Sequence, residues 1–86
     1  MKKFPMLIEK QVAVVIADGA TGHVFNLKLE LYRNDSEDEL YWIFENIDLA
    51  KEFIHNKSVS NNKLEFLIYD KKQNILEYLE ATYWKV

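Results

Sequence analysis

The sequence predicts an α+β fold: an antiparallel β-sheet of about five strands in the order β-β-β-α-β-β, with one amphipathic helix packed on one face. Three observations carry this. Residues 24 to 33 alternate apolar and polar side chains, residues 46 to 57 switch to a helical period, and two short apolar runs follow, separated by the turn-forming "KKQN".

The first strand is read over residues 7 to 17, "LIEKQVAVVIA", whose β-branched apolar end combines strand propensity with burial on two faces. "DGATGH", residues 18 to 23, holds both glycines of the chain and reads as a hairpin turn, because glycine accepts the positive φ such turns need. In "VFNLKLELYR" Phe25, Leu27, Leu29 and Leu31 point one way and Asn26, Lys28, Glu30 and Tyr32 the other, the cleanest strand pattern present. The polar residues 34 to 39 form a turn. The third strand follows as "LYWIFE", with Leu40, Trp42 and Phe44 on one side and Tyr41 and Ile43 on the other.

The period then changes. Ile47, Ala50, Phe53 and Ile54 fall on one helical stripe with Leu49 beside it; Asn46 can cap the helix, Asp48 sits in its first turn, and His55 and Lys57 occupy its last. "SVSNNK" reads as a loop, and residues 64 to 70 and 75 to 85 as two strands. In the last segment Ile75, Leu76, Leu79 and Tyr83 also fit a helix, whereas the preceding turn and the Thr-Tyr-Trp near its end favour extended chain.

At 86 residues the chain makes one α+β domain, residues 1 to 86, with room for a single core. It contains no cysteine, which removes disulfides, thiolate metal sites and a cysteine nucleophile. The apolar run near the N-terminus is broken by Pro5, Glu9 and Lys10, too early for a signal h-region or a membrane span, so a soluble cytoplasmic protein is expected. A net charge of −3 argues against nucleic acid, whose binders cluster lysine and arginine, while Lys2-Lys3 and Lys71-Lys72 are the only basic doublets here.

The chemical motifs are weak. Glu52 and His55 have the Glu-x-x-His spacing of di-iron helices, but such a site needs a second copy and further glutamates from long helices. Gly19 and Gly22 mimic a phosphate loop or an RNA-binding G-x-x-G clamp, yet the predicted flanks are strands. Ser36, Ser58 and Ser60 lie in polar segments without a nucleophile motif, and only His23 and His55 could serve as imidazole bases. A non-enzymatic chain without cofactor or metal is therefore expected.

Protein binding remains. "DSEDELYW" joins acids, which steer basic partners, to aromatics, which carry interface energy, and "EYLEATYW" repeats the chemistry near the C-terminus. The expected partner-binding residues are Asp35, Glu37, Asp38, Glu39, Tyr41, Glu77, Glu80, Tyr83 and Trp84. Trp42 is assigned to the core because it shares a side with Leu40 and Phe44. One short helix cannot cover five strands, so apolar sheet surface is left for a partner. The expected function is to block a larger, basic protein, in the manner of toxin-immunity proteins or phage inhibitors. The alternatives are a structural or accessory subunit forming a homodimer through a sheet edge or apolar face, and a small nucleic-acid-binding domain.

Overall fold

The computed structural model describes residues 3–33 and 39–82. Four strands and one helix follow in the order β1 (Val12–Asp18), β2 (Trp42–Phe44), α1 (Ile47–Ser60), β3 (Leu64–Tyr69) and β4 (Ile75–Leu79). The sheet runs β2-β1-β3-β4 and every pairing is antiparallel. The β-branched run of β1 occupies the centre, where a strand is covered on both faces; Val12 to Ala17 are all buried.

The helix lies on one face. Ala50 and Ile54 are its buried stripe, and they meet Val12, Val14 and Ile16 of β1 and Leu64, Phe66 and Ile68 of β3. Phe53 extends the stripe over β2, with its ring 4.9 Å from Trp42 and 5.0 Å from Phe44, contacts worth about 0.5 to 1.5 kcal/mol each beyond area burial. Asn46 caps the helix as its sequence position predicts, its side-chain oxygen accepting from Leu49 N at 2.9 Å. The helix runs on to Ser60, so residues 58 to 60 are helical and not loop, and of the two predicted last-turn bases only Lys57 keeps that place. Its ammonium stands 5.6 Å from the Phe53 ring centre and 5.9 Å from that of Trp42, within cation–π range.

The largest departure from expectation is residues 24 to 33, which form no strand. Two isolated bridges, Ala17 to Val24 and Phe25 to Leu31, replace it, and the sheet has four strands instead of five. The cause is Asn26. Its buried side-chain oxygen accepts from Lys28 N at 2.9 Å and Glu30 N at 3.0 Å, while its own N–H donates to Glu30 O at 2.8 Å. Asparagine offers backbone amides this alternative to a ladder, so the alternating stretch folds back on itself with Leu29 at φ 60°.

Two smaller corrections follow. Residues 7 to 11 precede β1 as an irregular segment, closed by Gln11 N donating to Ile8 O at 3.1 Å. Leu40 lies before β2 and lines the face opposite the helix, so it does not share a side with Trp42 and Phe44. Of the strand expected over residues 75 to 85, residues 75 to 79 are strand, 80 to 82 are irregular, and 83 to 85 lie outside the described residues.

The two glycines serve different ends. Gly22, at φ +78°, makes the turn after β1, donating its N–H to Asp18 O at 2.6 Å. Gly19 allows a close crossing: a Cβ there would stand 2.4 Å from the Ala81 Cβ and 2.9 Å from Lys63 O. Beside it Thr82 N donates to Asn62 O at 2.9 Å, so the chain leaving β4 is fastened against the start of β3.

Candidate functional site

The site is built on the sheet face that the helix leaves uncovered. Alternation along β3 sends Leu64, Phe66 and Ile68 into the helix-side core and Glu65, Leu67 and Tyr69 to the opposite side. Cross-strand register then arranges that side in rows. Ile43, Ala13 and Tyr69 form one row, since Ala13 is opposite both Ile43 and Tyr69. Val15, Leu67 and Tyr78 form the next, and continuing the β1–β2 register by one residue adds Tyr41 beside Val15. A third row holds Ala17 and Glu65, with Glu80 opposite Glu65 when the β3–β4 register is continued likewise.

Small side chains on β1 and tall ones around them leave a groove of about 440 Å³. Val15 and Leu67 lie in it, Tyr32, Tyr41 and Tyr69 stand around it together with Leu40, and His23 and Gln73 supply polar edges. Phe4 from the irregular N-terminal segment packs edge-on against two of these tyrosines, 5.2 Å from Tyr41 and 5.7 Å from Tyr69. The Tyr41 phenol is pushed above its ordinary value by burial first and by its neighbours Tyr69 and Tyr32 second, so it stays a neutral donor and acceptor at physiological pH. Among the described residues the lining contains no carboxylate, lysine or arginine.

Negative charge sits at one end. The Tyr78 hydroxyl donates to Glu65 Oε2, and this bond, then burial, then the charges of Glu65 and Glu80, raise its pKa. Tyr78 remains 53% exposed and Ile43, on the same face at the opposite edge of the sheet, 48%.

Of the residues expected from sequence, Tyr41 is a wall of the groove and Glu80 stands at its acidic end. Glu77 projects to the helix side and pairs with Lys51 at 3.0 Å. Glu39 is exposed beside a separate notch with Asn26, Leu27 and Lys28, its carbonyl accepting from Leu27 N at 2.9 Å. Asp35, Glu37, Asp38, Tyr83 and Trp84 lie outside the described residues. Sequence reasoning missed Tyr32, Glu65, Leu67, Tyr69 and Tyr78; the signal for the β3 members was the alternation of "LEFLIY", which puts Glu65, Leu67 and Tyr69 on one side.

A second concavity, about 530 Å³, opens between the start of α1 and the β3–β4 turn, over Val12, Ile47 and Leu76. Its rim is closed by its own charges, Lys71 with Glu9, and Gln11 donates from Nε2 to Glu45 at 3.1 Å nearby. Among the described residues no three acidic or histidine side chains come together as a metal site, and no helix is long and apolar enough to cross a membrane. Comparison with protein-family models, curated proteins and solved structures gives no match.

Proposed function

We propose that this chain is a non-enzymatic protein-binding module that blocks a larger, basic partner, as toxin-immunity proteins and phage inhibitors do, by laying the helix-free face of its sheet against it. One observation carries the reading: the row Tyr41, Val15, Leu67, Tyr78 crosses the sheet and ends beside Glu65 and Glu80. Tyrosines give large, rigid contact area with a polar tip, and acids at the rim of such a patch draw in and orient positive charge. Among the described residues the groove is lined by phenols, an imidazole and an amide, which offer surface and hydrogen bonds.

The test is capture from the native host on the immobilised chain. Leu67→Arg combined with Tyr41→Ser removes the captured partner, whereas Leu49→Arg on the exposed side of the helix keeps it. A partner retained by the first variant and lost by the second would place the contact on the other side of the molecule. The homodimer reading draws support from β4, an edge strand with Ile75, Leu76 and Tyr78 exposed. A bulge at its start and Glu77 in its middle shorten that edge, and two-fold pairing about Glu77 would oppose two carboxylates. Light scattering of the purified chain separates the two readings: a monomer at micromolar concentration leaves only the hetero-partner.

A further inference from the structure

We infer that the occupant of this face is an extended segment of the partner carrying an arginine two residues from a bulky apolar side chain. The arginine sits at Glu65, Glu80 and Tyr78, and the apolar residue enters between Tyr41, Leu67 and Tyr69. The inference rests on the proposed binding face and adds to it the chemistry of what binds there.

The spacing comes from the strand. Glu65 and Leu67 are alternate residues of β3 on one side of the sheet, so their side chains stand about 7 Å apart, the distance between alternate residues of any extended peptide laid along them. The charge comes from the rows. The continued register puts Glu80 opposite Glu65, and Glu65 accepts from the Tyr78 hydroxyl, so the two carboxylates lie together at one end, while among the described residues the groove lining has no carboxylate, lysine or arginine. A cation belongs at that end and an apolar group in the trough beside it.

Arginine fits better than lysine on two counts. Its planar fork can bond two carboxylate oxygens at once, where an ammonium acts as a point charge. The half-exposed ring of Tyr78, fixed by its bond to Glu65, also offers a face on which a guanidinium stacks. A second copy of this chain fits worse, because it would bring its own Glu65 and Glu80 toward the same end.

The test is an NMR titration of the full chain with the capped peptide Thr-Arg-Thr-Leu-Thr, with versions carrying citrulline or lysine for the arginine, and with one carrying glycine for the leucine. The expected result is saturable shifts at the amides of Glu65, Leu67, Tyr69 and Tyr78. Citrulline should weaken binding at least about tenfold and lysine less, as loss of a charge-assisted fork predicts. The glycine peptide should lose the shifts around Leu67 and Tyr69. Glu65→Gln with Glu80→Gln, an isosteric change at exposed positions, should copy the citrulline result while leaving the helix amides unmoved. Equal binding of the citrulline peptide, shifts confined to other surfaces, or no shifts at millimolar peptide overturns the inference. So does the appearance of the same shifts when the chain alone is concentrated, which assigns the face to a second copy. If the peptides fail but host capture still depends on Leu67 and Tyr41, the arginine chemistry is wrong and the binding face stands; if capture ignores Leu67 and Tyr41, the binding face itself falls.

Discussion

The two sides of the sheet use the same kinds of residue for opposite ends. On the helix side, Val12, Val14, Ile16, Phe66 and Ile68 meet Ala50 and Ile54 and are buried. On the other side, Val15 and Ala13 are just as deeply buried, but Tyr41, Leu67 and Tyr69 around them are only half covered, and Tyr78 and Ile43 less than that. The difference lies in the cover. A regular helix presents one continuous stripe, whereas the opposite side is met by irregular chain, Phe4 and Leu40, at separate points. Burial thus holds the fold together on one side and is left partly unfinished on the other.

Substitutions that treat the two sides alike put this contrast at risk. Phe66→Ala should have the largest effect, losing about 3 to 5 kcal/mol and leaving little folded chain at room temperature by urea denaturation. Gly19→Ala comes next, at about 1 to 3 kcal/mol, because its methyl would overlap Ala81; Ala81→Gly in the same chain should recover part of the loss, and the remainder measures the contact with Lys63 O. Asn26→Ala should cost about 1 to 3 kcal/mol by orphaning the amides of Lys28 and Glu30, with the damage visible as faster hydrogen exchange over residues 26 to 31. Leu67→Ser should cost about 1 to 2 kcal/mol, less than the loss at Phe66 because its site is only partly covered, while abolishing partner capture. If Leu67→Ser proved as damaging to stability as Phe66→Ala, both sides would be core and the contrast would fail.

The smallest expected effect is in acid. The Asp70 carboxylate accepts from the backbone and side chain of Asn74 and from Lys72 N, and the Asn74 backbone bond is the main reason that its pKa lies below the ordinary value. A group depressed in the folded state contributes stability present above its unfolded value, near 3.8, and lost as pH falls through the folded one. The turn between β3 and β4 should therefore loosen below about pH 4, and Asp70→Asn should remove that part of the stability-against-pH curve.

Much of the helix side was legible in the sequence, because burial on a regular element leaves a period. The run at Val12 to Ala17, the stripe through Ala50 and Ile54 and the cap at Asn46 are all local patterns with one strong physical reading. Residues 24 to 33 misled for an instructive reason. Alternation marks two faces, but it does not register that one polar member, Asn26, would turn inward and bind its own backbone. The candidate binding face was legible only in part for a related reason: it is assembled by register between β1, β3 and β4, and neither Glu65 beside Glu80 nor Val15 beside Leu67 leaves a trace at any fixed spacing along the chain.

The strand order also bears on how the molecule is made. The central strand is translated first, and the partner that seals its longer edge, β3, lies roughly 45 residues downstream, a wait of about 2 to 9 s at ordinary elongation rates. Throughout it the nascent polypeptide carries "VAVVIA", an uncharged, β-prone hexamer of the kind that seeds cross-β association, with that edge still unpaired. Yield in a heterologous host should therefore depend on chaperone supply and growth temperature more steeply than the stability of the finished molecule would imply.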